Sequence, residues 1–264
     1  MKLTWFDANS WLIEAAGKRI LVDPWLVGDL IFGNLPWLVR GVRSQPASIP
    51  DDIDLIVLSQ GLADHAHEPT LALLDKSIPV VASPDGAAVA QKAGYQQVTT
   101  LDHGDRFTFS DQGNSVVEIQ AFVGAPVGPT KKENAYVLHF LSDDTKLYYE
   151  PHGYPDADHL KALGAVDVVI TPMADQTLLG VAPVIRGSAA APQLAELLTP
   201  RVMLPTAEAG RVKYEGLIAP TLTTKGGADA MRSQFEAEGK AIQVIQPVSE
   251  KAIELDLQPA SRLA

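Results

Sequence analysis

The sequence predicts a mixed α and β fold, a single domain with two sheets at its core and helices outside. Three observations carry that expectation. Short apolar runs bounded by turn residues dominate the first half, where strands outnumber helices. Strand and helix patterns alternate in the second half. No linker, internal repeat or low-complexity stretch divides the 264 residues, a length with ample material for one core.

The elements follow in order. Residues 2–5, 11–15 and 19–23 read as strands, with Gly17-Lys18 as a hairpin turn between the last two. Residues 25–50 are apolar but broken by Gly28, Gly33, Pro36 and Gly41. This is too irregular for a long helix and too apolar to stand uncovered. Such a segment packs on the core, walls a pocket as a lid, or makes a dimer contact, and packing ranks first. Leu55 to Leu58 is a buried strand, broken by Ser59, Gln60 and Gly61. Pro69 and Thr70 suit the first turn of a helix whose apolar side is Leu71, Leu73 and Leu74. A strand at 78–82 leads into a helix near 84–93, ended by Gly94. Strands follow near 97–101, 106–109 and 116–122, then a hairpin of 135–141 and 145–150. The rest reads as helix 156–163, strand 166–171, helix 188–198, strand 201–205, helix 226–239, and strands 241–246 and 252–257.

Composition excludes several functions. A formal net charge of -11 argues against nucleic acid and anionic membrane surfaces as partners. There is no cysteine, so any metal must be held by nitrogen and oxygen. No G-x-S-x-G elbow, phosphate-binding glycine loop or dinucleotide fingerprint is present. The N-terminus lacks an apolar signal core and no run reaches membrane-spanning length, which makes a cytoplasmic location the default expectation.

Chemistry concentrates after the strand at 55–58. The stretch Asp54 to His67 reads DLIVLSQGLADHAH, a buried strand running into carboxylate and imidazole groups. Strand ends of this kind are where α/β proteins place their sites. The segment resembles the metallo-β-lactamase fold superfamily, which carries His-x-His-x-Asp-His at the end of such a strand. Here the frame is Gln60-Gly61-Leu62-Ala63-Asp64-His65: the Asp-His half matches, and Gln60 and Leu62 replace the leading histidines. WLIEAAGKRILVDPW similarly looks like the superfamily's opening hairpin, with Asp23-Pro24 after its second strand. The resemblance implies a four-layer αβ/βα sandwich spanning residues 1–264 as one domain.

It also implies a metal centre of the hydrolytic kind, in which three or more nitrogen and oxygen ligands leave an open position and bound water is acidified to a pKa near ~7. Leu62 does not ligate and Gln60 offers only an amide oxygen, so the half of a binuclear site that depends on them is expected to be missing. Asp64 and His65 match the second half; the plainer reading is a helix cap and a hydrogen-bonded loop residue. His67 is a replacement ligand or a solvated helix start. The family's third histidine has no counterpart in AFVGAPVGP, residues 121–129, where Gly124, Pro126, Gly128 and Pro129 suggest a rigid turn or a backbone-lined pocket wall. Glu150 stands about where the family has its bridging aspartate, with His152 beside it. Asp175, after another buried strand, is a ligand, a partner that orients a histidine, or a turn residue. The apolar segment that follows, LLGVAPVIRG, is expected to line the pocket. Thr206 occupies the last histidine position, with Glu208 as a substitute; Asp23 is expected to accept backbone hydrogen bonds. His103, His139 and His159 read as structural.

The candidate metal set is thus Asp64, His65, Glu150, His152 and Asp175, with Asp64 or Glu150 taking the proton. The resulting expectation is a hydrolase-like protein with one divalent ion, zinc or manganese, acting on a small-molecule ester, amide or phosphoester. The alternative is a binding protein on the same fold, with no metal and a ligand or partner at the sandwich mouth.

Overall fold

The computed structural model describes residues 1–128, 130–180 and 182–257. Pro129 and Val181 lie outside the described residues. Two seven-stranded sheets form the body. One runs in the order Ala252–Glu254, Lys2–Trp5, Trp11–Ala15, Lys18–Val22, Leu55–Leu58, Val80–Ala82, Val98–Thr100. The other runs Gln243–Val244, Val202–Leu204, Val168–Ile170, Thr145–Tyr149, Lys131–Phe140, Asn114–Val127, Arg106–Asp111. Each is antiparallel in one half and parallel in the other. Parallel pairs need crossovers, and the crossovers put helices on the outer faces.

The four layers follow from side-chain alternation along the strands. Leu55 and Val57 point into the core between the sheets, where they meet Leu3, Trp11, Tyr136 and Tyr149. Ile56 and Leu58 point the other way, under Leu71, Ala87 and Ala90 of the helices Glu68–Leu73 and Pro84–Lys92. In the second sheet Tyr148, Val169 and Met203 pack beneath Leu194, Leu198, Met231 and Phe235 of Gly187–Leu198 and Ala228–Ala237. A strand buried on both faces reads as a continuous apolar run, which is why Leu55 to Leu58 does not alternate. Each fully buried large side chain contributes about 1.5–3 kcal/mol of burial free energy.

The architecture is the expected αβ/βα sandwich, with differences in detail. Residues 121–127, expected as part of a turn, belong to the strand Asn114–Val127, with a register shift between Val123 and Pro126. Two small three-stranded sheets, absent from the expectation, flank one end. One joins Leu30–Ile31, Arg40–Arg43 and Val212–Glu215; the other joins Ala182–Arg186, Ala174–Leu178 and Leu222–Gly226. Their strands are short and partly exposed, so the apolar signal that marks the main strands is weak in them. The apolar segment after Asp175 contributes to one such hairpin, in which Leu179, Ala182, Pro183 and Val184 are exposed and Ile185 is buried. In the segment 25–50, Trp25, Leu26 and Leu30 are buried at the base, and the tip carrying Leu35 and Trp37 is exposed.

Candidate metal centre

The site lies where strands of both sheets end. Asp23 follows Lys18–Val22, the Ser59 to His65 loop follows Leu55–Leu58, and Glu150 to His152 follow Thr145–Tyr149. Three side chains converge: ligand atoms of Asp64, His65 and His152 all lie within 4.8 Å of one another. The His65 and His152 rings are 5.0 Å apart. His65 is fully buried, whereas Asp64 and His152 keep 19% and 12% of their side-chain surface exposed and open the group to solvent.

Each histidine is anchored through one nitrogen to a buried carboxylate. Asp23 Oδ2 lies 2.7 Å from His65 Nδ1. The same Asp23 accepts from the Ser59 amide at 2.7 Å, from Ser59 Oγ at 2.6 Å and from the Tyr149 hydroxyl at 2.7 Å. Its backbone is left-handed (φ 44°), a conformation that Asp tolerates better than most residues. Glu133 Oε2 lies 2.8 Å from His152 Nδ1. Since a carboxylate only accepts, both Nδ1 atoms carry a proton and both Nε2 atoms face away from these anchors; His65 Nε2 lies 3.3 Å from Asn9 Nδ2 and 3.2 Å from Asp64 Oδ2.

The donor set suits a divalent ion. Two imidazoles held by carboxylates on their outer nitrogens, with a third carboxylate between them, are the usual metal-binding arrangement. Asp64 Oδ1 is buried without a hydrogen-bond partner, an orphan that a cation would satisfy. Electrostatics agree. Burial opposes charge on His65, but Asp64 and Asp23 outweigh it and raise its pKa well above the ordinary histidine value. Burial likewise opposes charge on His152, and Glu133 outweighs it. Both imidazoles therefore lie in surroundings that favour positive charge, which is what a divalent cation would bring. Asp64 is pulled below the usual carboxylate range: burial acts against its charge, and His65 more than compensates.

The other expected ligands lie elsewhere. Glu150 is fully buried, but its oxygens accept from the His152 amide at 3.0 Å, the Gly153 amide at 2.7 Å and Thr171 Oγ1 at 3.3 Å. It braces the loop that carries His152 and stands outside the converging group. Burial first, and the charge of Glu133 second, push its pKa up to about 7. Asp175 accepts from the amide and hydroxyl of Ser188, at the start of the helix Gly187–Leu198, and so is bound to that helix terminus instead. His67 caps the helix Glu68–Leu73 through Nδ1 and approaches the Asp29 carbonyl through Nε2. Thr206 accepts from Trp11 Nε1 at 3.0 Å, and Glu208 accepts from Gln246. His103, His139 and His159 approach the Glu133 carbonyl, Asp144 and Asp156 respectively. Glu133 is the residue the sequence reading missed. Its signal is a lone acidic residue inside the strand Lys131–Phe140, at a position with no exposure. Leu62, at the second histidine position of the motif, is 46% exposed and faces a cleft of about 910 Å³ shared with Gly61, Val89, His103, Lys131 and Asn134.

Gly153 fixes the loop. Its φ is +82°, and a Cβ there would fall 2.7 Å from the Arg186 carbonyl carbon and oxygen. The variant Gly153→Ala should lose about 1–3 kcal/mol of stability and displace His152, seen as a lowered denaturant midpoint together with weakened metal uptake.

Residues 2–207 match a family described as a beta-lactamase superfamily domain. A UPF0173 metal-dependent hydrolase from Xanthobacter autotrophicus is 24% identical over 168 residues, which cover 61% of this chain and 61% of that relative, less than two thirds of its length. Another from Koribacter versatilis is 24% identical over 212 residues, 78% of this chain and 83% of the relative. Among solved structures, the isothiocyanate hydrolase from Delia radicum gut bacteria aligns with a TM-score of 0.67, over 97% of this chain and 99% of that one, at 17% identity, a likeness of fold.

Proposed function

The chain belongs to the beta-lactamase superfamily domain family, and on that premise we propose that it is a metal-dependent hydrolase with a reduced, mononuclear centre at Asp64, His65 and His152. The observation that carries this reading is the convergence of these three ligands, each imidazole anchored by a buried carboxylate. With no sulfur in the set, zinc and manganese are the fitting ions. A bound ion of this kind supplies Lewis acidity and lowers the pKa of water to about 7.

The chain's own residues do the rest. Asp23 and Glu133 hold the imidazoles as neutral Nε2 ligands. Asp64 stays ionised at neutral pH, which suits it to hold a cation, and it is the carboxylate of the converging group placed to take a proton. Glu150, engaged by backbone amides, holds the His152 loop instead of taking that proton. The substrate class is a small ester, amide or phosphoester. One observation favours a metal-free binding role: Asp64 Oδ2 lies 3.2 Å from His65 Nε2, an ion pair that closes without an ion.

Elemental analysis of the purified protein beside His65→Ala separates the two readings. About one zinc, manganese or iron per chain, absent from the variant, is the expected result and justifies a screen of ester, amide and phosphoester substrates. No metal in either protein, even after soaking in zinc or manganese, sinks the hydrolase reading.

A further inference from the structure

Glu133 is fully buried and meets three donors. Its Oε1 accepts from the Ala125 amide at 3.0 Å. Its Oε2 accepts from His152 Nδ1 at 2.8 Å and from Gln60 Nε2 at 3.0 Å. The side chain lies across Gly124, where a Cβ would come 2.6 Å from Glu133 Cγ, so the strand has room for this carboxylate only because position 124 carries no side chain. Gln60 stands where the resembled motif begins with histidine. Its amide nitrogen is spent on Glu133, and its Oε1 is buried without a partner. The Gln60 side chain is thus held through its hydrogen bond to Glu133.

We propose that Glu133 is the positioning residue of the centre, with Gln60 as its support and Gly124 as its seat. The first half of the motif, no longer able to bind metal, has become an outer bracket that locks His152 as an Nε2 ligand. This inference rests on the mononuclear reading above. It gives Gln60, which stands at the first histidine position, a role: its amide nitrogen is tied to the carboxylate that anchors His152. It also accounts for Gly124, a residue whose close approach is to a carboxylate and not to a chain turn.

The test uses the full chain, with zinc as the probe, in competition with a chromophoric chelator. Glu133→Gln keeps the shape and removes the charge; it is expected to weaken zinc binding 10- to 100-fold. Gly124→Ala, which displaces the carboxylate, should fall in the same range, and adding it to Glu133→Gln should weaken binding little further. Gln60→Leu should follow in the same direction with a smaller loss. The unfolding midpoints of the metal-free proteins separate this from general damage. Nitrogen NMR of histidine-labelled parent protein supplies a readout that a merely structural role would not move: with zinc bound, His152 should carry its proton on Nδ1, and it should do so independently of any variant's folding. Zinc affinity in Glu133→Gln equal to that of the parent, or an Nε2 proton on His152 in the zinc-bound parent, overturns the inference and leaves the metal reading intact. A parent chain that takes up no zinc overturns the metal reading first and the inference with it.

Discussion

Replacing Asp23 with alanine should lower the unfolding free energy by about 3–5 kcal/mol, the range seen when one partner of a buried ionic network is removed. Asp23 has no exposure and collects four hydrogen bonds, from the Ser59 amide and hydroxyl, the Tyr149 hydroxyl and His65. Alanine leaves the Ser59 amide buried and unpaired, at about 1–3 kcal/mol for an unsatisfied group. It also removes the shorter partner of the other donors, which keep the Asn9 carbonyl for Tyr149 at 3.2 Å and the Ser59 hydroxyl and His65 Nδ1 for each other at 2.9 Å. Alanine also accepts the left-handed backbone at position 23 less readily than Asp. Urea denaturation with chelator present isolates this loss from any metal effect. Asp23→Asn keeps the backbone preference and one acceptor oxygen, and should lose less. A variant with alanine at 23 that unfolds within 1 kcal/mol of the parent, to the order of a surface change, would mean that the network is not what joins the two sheets at this end.

Saturating zinc should raise the melting temperature of metal-free protein by roughly 8–16 °C. Ligand at a thousandfold excess over its dissociation constant adds about 4 kcal/mol to the folded state. In chains of about 150–250 residues each kcal/mol moves the midpoint by about 2–4 °C. The shift should vanish in His152→Ala and in Asp64→Ala, which remove ligands, and persist in Asp175→Ala, because Asp175 serves the start of the helix Gly187–Leu198. It should also shrink as pH falls. His65 and His152 are both raised above the ordinary histidine value, so protons hold the ligand nitrogens over a wider range and the ion must displace them. A midpoint unmoved by zinc at pH 7 to 8 would exclude a tight centre at these residues.

The strands were the most readable part of the chain. Runs such as Leu55 to Leu58 and Val168 to Ile170 are buried on both faces, and burial on both faces leaves an unbroken apolar signature that short polar loops cannot imitate. The two small sheets lacked that signature, being half exposed. At the site, Asp64, His65 and His152 stood out because carboxylate and imidazole cluster after strand ends. Asp175 has the same sequence context and a different fate. Whether a strand-end carboxylate turns toward the centre or toward the next helix depends on the hairpin of Ala174–Leu178 with Ala182–Arg186, a feature of the backbone that its partly exposed residues do not announce. Glu150 lay close to the right place in sequence, and one residue of loop decided that its oxygens face the His152 and Gly153 amides. Glu133 was hidden because the strand read from the sequence began at residue 135 and left it outside; the strand in fact starts at Lys131, and the packing against Gly124 reveals that Glu133 points inward.

The apolar segment beside the site is fastened at its base. Arg43, nearly unexposed, sits 4.3 Å over the Trp25 ring, pairs with Asp7 at 2.8 Å and donates to the carbonyls of Phe6 and Trp25. Swinging this base outward would strand a guanidinium and a carboxylate in the interior together, so the wall behaves as a fixed jamb, and its exposed tip is itself tied by the Leu217 and Ile218 amides to the carbonyls of Trp37 and Leu38. A fixed jamb at this edge leaves Asp64 and His152, which keep 19% and 12% of their side-chain surface exposed, open to water. Chemistry in which water is itself a reactant tolerates that openness, whereas transfer to an acceptor other than water would be lost to it.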